Sequence, residues 1–311
     1  MATTFLSKIK KGVEDLPPRA TLCGPEGIGK STFGANAPIP LFIAAEDGLT
    51  GLEHVDRFTP STFEELKTFL NEIEAELSLS FKTLVIDTVD WLERLIQASL
   101  CKQGGVKFIE DYAKGFGKGH AASAAELTSM LAQLDRIRHK HRIGILLLSH
   151  VHIKSHTPPG SDPFDRYEMK GNKSFTGILR EWPDACLFAV YETFITKDKG
   201  NEKVIGGGRI IHTTWAPGWD AKNRYNLPDP LPLDRERGYT ALLEAIEENK
   251  TKPVAPLTVE FLRERIRTLS PLAKFTSDEQ ELKFNEWLKK LDEHDIKQLK
   301  AGLGTLEKLT E

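Results

Sequence analysis

The chain has 311 residues, 40% hydrophobic and 28% charged, a balance that buries a sizeable core and excludes a disordered, collagen-like or disulfide-stapled protein. Its formal net charge of −3 excludes a general polycation, so any contact with nucleic acid must come from local basic clusters. Cys23, Cys101 and Cys186 are scattered without C-x-x-C spacing, and no apolar run reaches membrane-spanning length, which together predict a soluble cytoplasmic protein with no membrane partner.

The first element is a short apolar strand, Arg19 to Cys23. It leads into Gly24-Pro25-Glu26-Gly27-Ile28-Gly29-Lys30-Ser31, which fills every fixed position of G-x-x-x-x-G-K-[ST]. A helix opens over Ser31 to Ala35, so the motif is a strand-to-helix turn, the context in which it holds phosphate. The glycines let successive N–H groups face a triphosphate, and the helix N-terminus adds partial positive charge. ATP is the expected ligand, held by Gly24, Pro25, Glu26, Gly27, Ile28, Gly29, Lys30, Ser31 and Thr32. Lys30 reaches the β- and γ-phosphates, and Ser31 offers its hydroxyl to Mg²⁺.

A second strand, Pro40 to Ala45, ends in Glu46-Asp47-Gly48, and a helix follows from about Thr62 to Leu77 with Phe63, Leu66, Phe69, Leu70 and Ile73 on one face. The third strand, Lys82 to Asp87, ends in an acid. Asp87 sits where open α/β sheets bind ligands and can hold Mg²⁺ beside Ser31; its competing role is to cap the helix near Val89, and Asp90 is expected to be a plain cap. Glu46 ends the neighbouring strand and is expected near the γ-phosphate to orient the attacking water; a plain surface loop is the alternative, and Asp47 competes for the role.

Helical sequence from Trp91 to Leu100 gives way to a Gly/Lys-rich stretch, Lys102 to His120, too polar for core. A helix over Ala121 to His141 feeds the strand Ile143 to Ser149. The segment Lys154 to Lys173 carries Pro158, Pro159, Gly160 and Pro163 and predicts a second loop. Asp184 to Phe194 and Val204 to Thr214 read as antiparallel strands finishing the sheet. The fold class is therefore α/β, a mainly parallel sheet with helices on both faces, over residues 1–249. Residues 250–256 form a polar linker and residues 257–311 a small helical bundle with apolar stripes at Leu262, Ile266 and Leu269, at Phe284, Trp287, Leu288 and Leu291, and at Ile296, Leu299, Leu303 and Leu306.

Three of these strands carry a family likeness. Leu41 to Leu49 resembles the RecA segment whose strand ends in the catalytic glutamate, Leu84 to Val89 resembles its Walker B strand, and Leu147 to Lys154 resembles the strand that ends in a nucleotide-sensing residue. RecA has glutamine at that last place, and this chain has His150. Over about residues 15 to 240 the chain resembles the phage RecA-like ATP-binding proteins of the Sak group. The resemblance implies a RecA-like P-loop NTPase core that hydrolyses ATP and promotes single-strand annealing in phage or prophage recombination.

In that family the loops after the Walker B helix and after the sensor strand hold single-stranded DNA, which by position implies Lys107, Lys114, Lys118, Lys154, Arg166, Lys170 and Lys173. Phe108, Tyr112 and Phe116 interleave with the first of these, as base stacking requires. Plain solvated loops are the alternative, because Glu110, Asp111, Asp162, Asp165 and Glu168 dilute the charge. Asp220 to Pro228 resembles the element that such ATPases project into a neighbour's nucleotide site. That implies Lys222 and Arg224 as cations supplied in trans and a ring or filament-like homo-oligomer; an exposed basic turn is the alternative.

His139, His141, His150, His152 and His156 cluster in sequence, but they straddle a helix end, a strand and a loop, which disfavours zinc. The expected function is a DNA-stimulated Mg-ATPase that anneals single strands, with a single-strand binding protein as a candidate partner of the bundle. A hexameric translocase or helicase loader, and a nucleotide-binding switch with little hydrolysis, are the competing classes.

Overall fold

The computed structural model describes residues 14–46, 51–52, 54–158, 160, 162–198, 201–251, 259–272, 275, 278–294, 298–299, 301–303 and 306. The chain divides into two units, Met1–Asn249 and Lys250–Glu311. Asp47 and Gly48, and residues 252–256 of the expected linker, lie outside the described residues.

The first unit is built on strands β1 (Arg19–Gly24), β2 (Pro40–Ala44), β3 (Asp56–Phe58), β4 (Thr83–Asp87), β5 (Gly144–His156), β6 (Phe164–Met169), β7 (Ala185–Asp198), β8 (Asn201–His212), β9 (Lys222–Asn223) and β10 (Leu231–Pro232). Its helices are α1 (Lys30–Ala35), α2 (Phe63–Ala75), α3 (Val89–Gly104), α4 (Lys118–His141), α5 (Lys173–Glu181) and α6 (Gly238–Thr251). The sheet runs β10-β8-β7-β1-β5-β4-β2-β3, and from β7 to β3 every neighbouring pair is parallel. The mainly parallel α/β class is the one the sequence predicts.

Apolar residues on both faces of a strand are what a sheet covered on both sides requires. In β5, Ile145 and Leu147 join the core formed with Leu66, Leu92, Leu131 and Leu179 from α2 to α5, whereas Leu146 and Leu148 join Phe33 of α1 and Tyr239 of α6. All four strand residues are fully buried. Truncating one of them to alanine removes its transfer energy and leaves a cavity, a cost of about 2–5 kcal/mol. The central strands are therefore rigid, and what lies at their ends is held in place.

Four expectations need correction. The segment Lys154 to Lys173 is not a loop, because β5 runs on to His156 and pairs antiparallel with β6, Val151 opposite Met169 and His156 opposite Phe164. Val151 to Lys154 alternates apolar and polar residues, and Pro158, Gly160 and Pro163 fall in the connection between the two strands. Lys102 to His120 is likewise partly regular: α3 extends to Gly104, Gly105 ends it in the left-handed conformation, a 3₁₀ segment broken by a kink at Tyr112 and Ala113 spans Ile109–Lys114, and α4 starts at Lys118. β7 is antiparallel to β8, as expected, but pairs parallel with β1. The short edge strand β3 was not expected; three residues are too few for a periodic signal.

The second unit carries α7 (Val259–Leu269) and α8 (Asp278–Lys289), with Leu262, Ile266, Leu291, Leu299 and Leu306 buried among its described residues.

Candidate functional site

Parallel strands put their carboxyl ends on one edge of a sheet. β1 ends at Gly24, in register with His150 of β5; β4 ends at Asp87, in register with Leu148. Ala44 of β2 is the partner of Asp87, and the N–H of Ala45 donates to the Asp87 carbonyl at 2.9 Å, which brings Glu46 to the same edge. Lys30, Ser31, Glu46, Asp87 and His150 line one cavity of about 390 Å³. A groove of about 600 Å³ lies elsewhere, between β3 and α2, around Phe58 and Phe69; it has no glycine-rich turn.

The loop between β1 and α1 needs its glycines. Gly29 has φ 110 and Gly27 has φ 74, and a Cβ on Gly24 would come within 2.7 Å of the Ala189 carbonyl oxygen in β7. Lys30 is 5% exposed, and its Nζ donates to the Gly24 and Pro25 carbonyls at 3.0 Å each. α1 is only six residues long, so the loop's own N–H groups carry more of the positive potential than the helix does. Two contacts brace the loop from the β7–β8 hairpin: the Tyr191 hydroxyl donates to the Gly27 carbonyl at 3.2 Å, and Arg209 Nη1 donates to the Ile28 carbonyl at 3.3 Å.

Burial lowers the Lys30 pKa, opposed by the nearby Asp87 carboxylate. Burial raises that of Asp87, opposed by a hydrogen bond from Ser31 and the Lys30 charge. Burial also raises that of Glu46. Partly desolvated carboxylates beside a buried ammonium are a place where added positive charge is welcome. Asp87 Oδ1 is buried with no hydrogen-bond partner among the described residues, and Ser31 stands next to the same carboxylate. An acid and a hydroxyl so placed are hard oxygen donors that fit Mg²⁺.

Asp90 is not a plain helix cap. Its carboxylate oxygens lie 3.0 and 3.2 Å from His150 Nδ1, and Oδ1 also accepts the His150 main-chain N–H at 3.2 Å. Burial would raise its pKa, but the hydrogen bonds from the His150 ring and main-chain N–H outweigh that and hold it below the usual range. The residue preceding α3, Thr88, makes no side-chain cap bond either. Sequence reasoning named His150 without its partner. The available signal was an acid three residues after Asp87.

Lys107, Lys114, Lys118, Lys154 and Lys173 are exposed, as are Phe108 and Phe116, while Tyr112 is half-buried. Arg166 is taken up differently: it is tied to Asp220 at 2.7 Å, and Arg180 holds the other oxygen of that carboxylate at 2.5 Å. Lys170 bonds Glu26 of the glycine-rich loop. Lys222 and Arg224 are not brought to the cavity of their own chain. Lys222 sits opposite Cys186, beside the amino-terminal half of β1, where its Nζ donates to the Glu181 carbonyl at 2.7 Å; Arg224 pairs with Asp184 at 3.2 Å and keeps a largely exposed side chain. Among the described residues no group of three or more His, Cys, Asp or Glu is placed to hold a metal, and no helix is long and apolar enough to cross a membrane.

The sequence profile of the family described as "AAA domain" matches residues 16–225. The match includes the glycine-rich loop, Glu46, Asp87, Asp90 and His150. No curated protein matches the chain. Among solved structures, the crystal structure of the RadB recombinase aligns with 71% of this chain and 90% of its own, at 15% identity and a TM-score of 0.40.

Proposed function

The chain belongs to the AAA domain family, and from that premise we propose that it is a Mg²⁺-dependent ATPase acting on single-stranded DNA, a RecA-like recombination protein of the Sak annealing type. The observation that supports the reading is the convergence of Lys30, Ser31, Glu46, Asp87 and His150 on one cavity at the carboxyl edge of a parallel sheet. In this reading Gly24 to Thr32 wrap the triphosphate. Lys30 exchanges its two carbonyl partners for β- and γ-phosphate oxygens and so compensates charge as the γ-phosphoryl group leaves. Glu46, whose raised pKa suits a base, takes a proton from the attacking water. That water forms the new bond to phosphorus, and the bond to the ADP oxygen breaks. His150 contacts the γ-phosphate. Ser31 and Asp87 would hold Mg²⁺, which supplies charge neutralisation at the phosphate oxygens.

The DNA contacts are proposed along the β5–β6 hairpin and the start of α5, through Lys154, Lys170 and Lys173, and along the α3–α4 connection, through Lys107, Lys114 and Lys118 with Phe108 and Phe116 as stacking platforms. Arg166 drops out, since Asp220 occupies it. Lys222 and Arg224 are proposed to act on a neighbouring copy's nucleotide, which requires them to leave Glu181 and Asp184. Their present bonds favour a second reading, a nucleotide-binding switch with little turnover.

The deciding experiment is ATP hydrolysis with and without single-stranded DNA, beside Lys30→Ala and Lys222→Ala, together with annealing of complementary oligonucleotides. DNA-stimulated turnover lost in both variants supports the proposal. Unstimulated turnover that survives Lys222→Ala removes the shared-site recombinase. Tight ATP binding without turnover selects the switch.

A further inference from the structure

We infer that Asp90 is a positioning residue: by accepting a hydrogen bond from His150 Nδ1–H, it turns the Nε2 edge of the ring toward the cavity formed by Lys30, Ser31, Glu46 and Asp87. The inference rests on the reading of that cavity as the ATP site and adds to it the part that sets the sensor's orientation.

Imidazole has two ring nitrogens, and a neutral ring carries its proton on only one of them. At His150 the choice is made by a carboxylate that is itself 8% exposed and lies within 3.0 and 3.2 Å of Nδ1. A carboxylate only accepts, so Nδ1 must donate, and Nε2 is left for the cavity that His150 lines. The same carboxylate also takes the main-chain N–H of His150, which fixes the backbone as well as the ring. On the far side, the His150 carbonyl accepts the Lys170 N–H at 2.9 Å, so the residue is held from both directions.

Asp90 lies in the first turn of α3, three residues beyond Asp87, while its partner lies 60 residues away on β5. An acid that merely capped the helix would bond to the helix's own N–H groups. This one spends its hydrogen bonds across the sheet, on the one cavity-lining histidine among the described residues. Orientation of an acting imidazole by a carboxylate behind it is a recurrent device in sites that use histidine.

The first test is ring-nitrogen NMR of the full chain, with the His150 signals identified by their loss in His150→Gln. The expected wild-type ring carries its proton on Nδ1, and Asp90→Ala loses that state. A wild-type ring protonated at Nε2 with a bare Nδ1 would overturn the inference. The second test is kinetic: Asp90→Asn should lower kcat by about 10- to 100-fold with KM for ATP unchanged. In a His150→Gln background the same change should cost no more than about twofold, because glutamine needs no ring partner. An equal loss in both backgrounds would mean that Asp90 acts on the fold, and would also overturn it. If wild type turns over no ATP, the reading of the cavity as a hydrolytic site falls, while the NMR measurement still decides the role of Asp90.

Discussion

Lys170 Nζ lies 2.5 Å from the Glu26 carboxylate in the glycine-rich loop, and the main-chain N–H of the same lysine binds the His150 carbonyl. One residue at the foot of the β5–β6 hairpin thus touches the loop expected to hold phosphate and the residue expected to sense it. The hydrogen bond from Lys170 is the main cause of the lowered Glu26 pKa.

An exposed pair of this kind adds little to stability. Its loss should therefore show in coupling. Lys170→Ala is expected to melt like wild type and hydrolyse ATP at the wild-type rate without DNA, but to lose stimulation by single-stranded DNA. A DNA-free rate that drops as far as the stimulated one would remove the coupling role.

Gly24→Ala drives a methyl group into the Ala189 carbonyl in the middle of the sheet. Backbone on both sides cannot yield cheaply, so the substitution should cost about 1–3 kcal/mol. In a domain of this size that is a fall in Tm of about 2–4 °C per kcal/mol, readable by calorimetry. Nucleotide affinity should fall with it, because β1 must shift away from β7. An unchanged melt would show that the close approach is not rigid.

Glu93 offers a pH test away from the cavity. Burial raises its pKa even though the Asn172 N–H, at 3.0 and 3.3 Å, and the Gln97 amide bond to it. Between the unfolded value of about 4.3 and the raised folded value, the native state holds the proton that the unfolded chain has released. Stability therefore falls as pH rises through that window. Glu93→Gln lacks the titration, so its Tm measured against wild type should climb as pH rises above the unfolded value of about 4.3. A difference that shrinks with rising pH would contradict the burial argument.

Arg166 and Lys154 face one another across the hairpin and should behave oppositely. Arg166→Ala strips one oxygen of a half-buried carboxylate of its partner, at a cost of about 1–3 kcal/mol, with Arg180 retaining the other. Lys154→Ala breaks an exposed 3.5 Å contact with Glu168 and should stay within about 0.5 kcal/mol. It should instead weaken binding to single-stranded DNA and flatten the salt dependence by about 0.7 in slope. Chemical denaturation and DNA titrations at several salt concentrations separate the two. Equal stability losses would sink the assignment.

By itself the sequence determined the α/β class, the glycine-rich loop and the acids at two strand ends. Each is written in contiguous residues: buried strands as apolar runs, the loop as fixed spacing, Asp87 as the residue that stops a run. Contacts between distant segments were decided only by the tertiary structure. The pairing of Asp90 with His150 depends on β4 and β5 lying side by side, which no local pattern encodes. The tie between Lys170 and Glu26 depends on β5 lying beside β1, with His150, the main-chain partner of Lys170, opposite Gly24. The same holds for Arg166, which reads as a loop cation in sequence and becomes an internal ion pair because Asp220, 54 residues later, is packed beneath it. Local propensity is set by a few neighbouring residues, whereas the partner of a charged side chain is set by which strands the core has brought together.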